Sequence, residues 1–352
     1  MSRFSVPNIK ISGIAACVPK DKESNTDYDW ITEKEQNLLI KTTGIEERRI
    51  ARKGTTTSDL CYAATEKLLR ELNWNKEEIG ILIFVSQSRD YFLPATAIIL
   101  QDRLQLTPTT IAFDISLGCS GYVYGLSVIS SLMQTTQTKK ALLMAGDISS
   151  TSLNKRDKST YPLFGDAGTV TALELTTENQ HMDFDLKSDG SGYEAIIIPD
   201  GGLRNPITPD SFVEREIEKG IWRCNRDLKL DGLAVFNFSI TKVHPQIEHL
   251  LSESGKETTD INYFVFHQAN KLILETIRKK LKIEPEQVPY SLLKYGNTSS
   301  ASIPLTIVTE LKNEVETQKL SMLFCGFGVG LSWGTVILEL DKIKCPEIIE
   351  FS

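Results

Sequence analysis

A cysteine, a histidine and an asparagine are the residues of this chain whose types and spacing could do chemistry. Cys119 lies in DISLGCSGYVYGL (residues 114–126), between Gly118 and Gly121 and after the apolar run Ile111-Ala112-Phe113. The glycines allow tight backbone turns beside it. Tyr122, Val123, Leu126, Ile129, Leu132 and Met133 are apolar around most of a helix, which predicts a buried one. A cysteine at such a helix start feels the positive end of the dipole, which would lower its pKa and favour thiolate. The same segment also fits an inert core thiol, the usual fate of a free cysteine.

His267 follows the strand-like YFVF, and Gln268-Ala269-Asn270 then open a helix with Ile273, Leu274, Ile277 and Leu281 at core spacing. Asn270 is a candidate cap. Lys271, Arg278, Lys279 and Lys280 on that helix form either a solvated basic face or a dock for an acidic partner. Asn297 lies in KYGNTSSASIPL, which is turn chemistry. Ser299, Ser300, Ala301 and Ser302 suit close packing at a helix start. CGFGVGLSWG (residues 325–334) lacks the G-K-[ST] of a phosphate loop. Its glycines suit backbone that passes close to a ligand and offers N–H groups to an oxyanion.

These residues need a scaffold, and the chain repeats one. IGILIFVSQ recurs loosely as INYFVFHQ, LGCSG as YGNTS, and KALLMAGD as LSMLFCGF. Matching Ser86 to His267, Cys119 to Asn297 and Gly146 to Gly326 gives offsets of 181, 178 and 180 residues. Strand-like runs alternate with helical ones throughout, which predicts an α/β fold. Two similar halves are expected, residues 1–175 and 176–352, with their loops converging on one cleft at strand ends.

Bulk properties narrow the function. The chain has 352 residues and a net charge of −7, which argues against a general nucleic-acid binder. The six cysteines include no C-x-x-C pair and the four histidines no H-E-x-x-H, so no metal or redox pair is expected. Scattered cysteines favour reduced thiols in a cytoplasmic protein. Ile14-Ala15-Ala16-Cys17 superficially looks like a lipoprotein site. Asn8, Lys10 and Ser12 interrupt any apolar leader there, and IKISGIAACVP reads as a first strand. No apolar run is long enough to span a membrane.

Taken together, TTGIEERRIA, DISLGCSG, LFGDAGT, LDGLAVFNFSI, FHQAN, YGNTSSASIP and GFGVGLSWG resemble the β-ketoacyl-acyl-carrier-protein synthase III family of the thiolase-like superfamily. The resemblance covers nearly the whole chain. It implies a duplicated five-layer αβαβα fold, a homodimer, and no metal or other cofactor. Acyl-CoA or acyl carrier protein would be the donor. Cys119 would be the nucleophile that accepts the acyl group. His267 and Asn297 would donate hydrogen bonds to the thioester carbonyl of a malonyl group on carrier protein. Backbone N–H groups of Cys119 and Val329 would hold the oxyanion. Lys158, Asn270, Lys271, Lys279, Lys280 and Leu93 would contact substrate or carrier protein.

Several positions depart from the family pattern. The Trp and Arg that grip the CoA nucleotide ahead of T-G-I are Leu38 and Thr42. The arginine after H-Q-A-N is Leu272, the arginine ahead of F-G-D is Lys158, and the aromatic gate is Leu93, next to Phe92. The G-G-G element reads Gly328-Val329-Gly330, and PDSFVEREIEKGIWRCNRD is inserted. These changes point to an unusual acyl donor in a specialised pathway. An ester- or amide-forming acyltransferase could use the same triad. A papain-like hydrolase shares the Cys, His, Asn order but not the C-G-S-C-W surround. A thiolase would use a second cysteine, for which Cys325 is a poor match, and a histidine in place of Asn297.

Overall fold

The computed structural model describes residues 3–352. Two large sheets form its frame. The first has the strand order Ile349–Phe351, Ile9–Pro19, Ala167–Leu175, Lys140–Asp147, Ile79–Val85, Ile111–Ile115. The second runs Arg3–Pro7, His181–Ser188, Ser332–Asp341, Lys319–Gly328, Tyr263–Phe266.

Four strands of each sheet correspond in order and direction. From Ile9–Pro19 inward the pairings are antiparallel, antiparallel and parallel. From His181–Ser188 they repeat the same sequence. Each terminal strand joins the sheet of the opposite half. Arg3–Pro7 pairs with His181–Ser188, and Ile349–Phe351 pairs with Ile9–Pro19.

The layering follows from which faces are apolar. Helices Gly121–Thr136 and Ser302–Glu310 lie between the sheets. Tyr122, Val123, Leu126, Ile129 and Met133 from one, and Ile303, Leu305, Ile307 and Val308 from the other, pack against strands of both sheets in one core. A helix enclosed on both sides must be apolar nearly all round, as the sequence of Gly121–Thr136 requires. Truncating Leu126 to Ala would cost about 2–5 kcal/mol. Thr57–Leu72 and Thr96–Arg103 cover the outer face of the first sheet. His244–Glu253 and Lys271–Leu281 cover that of the second. The result is five layers, αβαβα.

Cys17 is buried in the strand Ile9–Pro19, where burial pushes its thiol up to about 12. The inserted segment forms a small antiparallel hairpin, Arg215–Glu218 with Ile221–Arg223.

Candidate active site

Three elements bring the sequence-predicted triad to one cavity. Cys119, His267 and Asn297 all line it, with Ser299, Phe327, Gly328 and Val329. Cys119 stands just before the helix Gly121–Thr136, whose side chains pack in the core between the sheets. His267 directly follows the edge strand Tyr263–Phe266. Asn297 lies in the turn that leads into Ser302–Glu310. All three are at least nine-tenths buried.

The thiol does not behave as its helix position alone predicts. Burial pushes Cys119 up to about 11, and the nearby Asp147 carboxylate adds to that. Hydrogen bonds from the backbone N–H groups of Val329 and Cys119 itself, and one to Ser299, pull the other way. Desolvation outweighs these donors, against the expectation of a thiolate favoured by the helix start. Gly328 is required for the close fit. A Cβ there would stand 2.6 Å from Cys119 Cβ and 2.7 Å from its Sγ.

His267 is neutral in this setting. Burial lowers its pKa to about 3, opposed by a backbone hydrogen bond to Ser299. Its Nδ1 lies 2.8 Å from Ser302 Oγ, and Phe327 packs edge-on to the ring at 5.6 Å.

Asn297 is oriented by its own turn. The Ser299 N–H donates to its Oδ1 at 2.9 Å, which leaves the amide NH2 as the free donor. Its backbone is fixed to the first half: the Asn297 N–H donates to Leu163 O, and Gly165 N–H donates to Asn297 O. Gly296 has φ +64°, and a Cβ there would meet Leu163 O at 2.7 Å. The buried Arg48 of EERR supports this contact, donating to the carbonyls of Tyr161 and Phe164.

The remaining predicted contacts scatter. Asn270 lines the cavity but caps Lys271–Leu281, accepting from Ile273 N–H at 2.9 Å. Lys271, Lys279 and Lys280 are exposed on that helix. Arg278 is not part of a free basic face, because it donates to Glu275 and to the Ile283 carbonyl. Leu93 is exposed and lines a second cavity, which shares Gln87, Ile196, Ile198, Leu228 and Val329 with the first. Lys158 lies apart from both, 3.3 Å from Glu35 and facing the inserted hairpin through Gly220. Cys325 does not line the cavity; Thr335 Oγ1 donates to it, and burial pushes its thiol up to about 12.

Sequence reading missed two buried carboxylates. Asp147 lines the cavity beside Cys119. Asp166 accepts from the N–H groups of Ala51 and Ser150, and burial raises it to about 6. Both follow glycine-containing strand ends or turns, a signal shared with many surface aspartates. Among the described residues, no group of three or more His, Cys, Asp or Glu is placed to hold a metal ion, and no helix is long and apolar enough to cross a membrane.

Comparison with known proteins agrees with this geometry. The family pattern described as 3-oxoacyl-[acyl-carrier-protein (ACP)] synthase III matches residues 113–190, and that of its C-terminal part matches residues 251–340. A protein of Rhodopirellula baltica named beta-ketoacyl-[acyl-carrier-protein] synthase III is 31% identical over 95% of this chain and 99% of its own. The chain belongs to the 3-oxoacyl-acyl-carrier-protein synthase III family. A 3-oxoacyl-(acyl-carrier protein) synthase from Burkholderia xenovorans superposes with a TM-score of 0.93 at 38% identity, covering 99% of each chain. The synthase III of Pseudomonas aeruginosa gives 0.83 at 29% identity, over 96% of this chain and 99% of its own. These likenesses fix the fold as thiolase-like.

Proposed function

We propose that this protein condenses an acyl thioester with malonyl carrier protein, releasing carbon dioxide, through an acyl-Cys119 intermediate. One observation carries the reading: a buried thiol, a neutral imidazole and an oriented amide line the same cavity. In the first half-reaction Cys119 Sγ attacks the donor carbonyl. The thioester bond to the donor breaks, and the donor thiol leaves with the proton that the Cys119 thiol loses. Val329 and Cys119 N–H groups hold the oxyanion.

In the second half-reaction the malonyl thioester loses carbon dioxide. The His267 ring N–H and the Asn297 amide donate to its carbonyl oxygen as that becomes an enolate. Neutral imidazole is the right donor, because the site builds negative charge without first binding a proton. The enolate carbon attacks the acyl-Cys119 carbonyl. The Cys119–acyl bond then breaks, the β-ketoacyl product leaves on the carrier, and the thiolate regains a proton from water.

The donor is read as other than acetyl-CoA. Leu38 offers no ring on which a base can stack, and Lys158 is engaged by Glu35. Exposed Lys271, Lys279 and Lys280 suit an acidic carrier protein, and Asn270 shapes the entrance below them. A homodimer is supported by the edge strand Ile111–Ile115 and the exposed Tyr91, Phe92, Leu93 and Ile98. Six free cysteines suit a reducing cytoplasm. The test is a panel of acyl-CoAs and acyl carrier proteins, with mass added to Cys119 read on intact protein. Malonyl carrier protein is then added and carbon dioxide measured. Acylation followed by carbon dioxide release is expected. Acylation without release would favour an ester- or amide-forming transferase, and saturable acylation by acetyl-CoA would overturn the donor reading.

A further inference from the structure

Asp147 ends the strand Lys140–Asp147 and is 2% exposed. Its two oxygens serve the two halves of the molecule. Oδ1 accepts from the Gln87 N–H at 2.7 Å and from Ser86 Oγ at 3.2 Å, in the loop after Ile79–Val85. Oδ2 accepts from the Ser300 N–H at 3.1 Å and from Ser300 Oγ at 2.8 Å, in the turn after Asn297.

That turn aims both donors of the second half-reaction. The Ser299 N–H holds the Asn297 amide, and Ser299 backbone and Ser302 Oγ hold His267. We propose that Asp147 is a positioning residue for the decarboxylating half-reaction, fastening the Asn297 turn to the strand end behind Cys119. The proposal rests on the function read above.

A carboxylate is needed because each oxygen faces a backbone N–H. An asparagine would turn its own NH2 toward one of them, and one of the two anchors would open. The titratable groups facing Cys119 are Asp147 and His267, and those facing Asp147 are Cys119 and Cys61. Burial raises the pKa of Asp147, and hydrogen bonds from Gln87, Ser300 and Ser299 oppose that rise.

The experiment compares Asp147→Asn and Ser300→Ala with the parent, each shown folded by its melting transition. Two rates are read: acyl mass appearing on Cys119, and carbon dioxide from malonyl carrier protein. Asp147→Asn is expected to slow carbon dioxide release about 10–100-fold, less than deleting a donor outright. Acylation should stay within about threefold. Ser300→Ala loses one hydrogen bond and should slow release about three- to tenfold. Parent-like release in both variants, or equal loss in both half-reactions, would overturn the proposal. If Asp147→Asn does not fold, Ser300→Ala decides by its release rate. A parent that performs neither half-reaction would overturn the proposed function and this proposal with it.

Discussion

The turns around Cys119 and Asn297 occupy corresponding places in the two halves. Each leads from the frame into one of the two central helices, Gly121–Thr136 and Ser302–Glu310. One turn presents a thiol; the other presents an amide. The difference extends to their neighbours. Ser86 follows Ile79–Val85, where His267 follows Tyr263–Phe266. Asp147 follows Gly146, where Phe327 follows Gly326. In the first half a carboxylate accepts from the Ser86–Gln87 loop. In the second an aromatic ring packs on His267. On the proposed reading, one turn carries the nucleophile and the other side carries the hydrogen-bond donors. On that reading, two similar turns let acyl transfer and decarboxylation share one cavity, with Cys119 common to both.

The sharpest way to break this comparison is Cys119→Ala. Acyl mass on the protein should vanish, a loss of more than about 10³-fold by intact mass, because no other cavity residue supplies a thiol. Acylation that persists would mean the nucleophile lies elsewhere. Gly328→Ala should come next. The added Cβ crowds Cys119 Sγ, so acylation should fall about tenfold or more and stability by about 1–3 kcal/mol. A variant that acylates at the parent rate would show that this wall gives way.

The smallest effect is in stability against pH. His267 is held near 3, below its unfolded value, so the unfolded state binds the extra proton between about pH 3 and 6.5. Its contribution is present above pH 6.5 and is lost on acidification, by up to about 1.4 kcal/mol per pH unit. Asp166, raised to about 6, acts with the opposite sign between about pH 4 and 6. His267→Asn should therefore flatten the loss of stability between pH 6.5 and 5 in urea melts. An unchanged slope would place the imidazole in a wetter site than its burial indicates.

Much of this was legible in the residues. The repeat of IGILIFVSQ as INYFVFHQ marked corresponding strands because strands encode themselves in short apolar runs. The helix after Cys119 announced its burial by being apolar all round. The exchange of the terminal strands was not legible, since Arg3–Pro7 could pair with either sheet on pattern alone. Nor was the raised Cys119 pKa, which depends on how completely water is excluded. Asp147 escaped for a related reason. Its role comes from partners 60 and 153 residues away, and local spacing carries no trace of them.

The division of labour is tested most directly by separating the half-reactions in His267→Ala and Asn297→Ala. Acyl transfer to Cys119 is timed by intact mass, and carbon dioxide release from malonyl carrier protein is timed on the pre-acylated enzyme. Each variant should lose about 10²–10³-fold in release while acylation changes by less than about tenfold. Equal losses in both steps, or losses confined to acylation, would contradict the assignment of the two turns to separate chemistry.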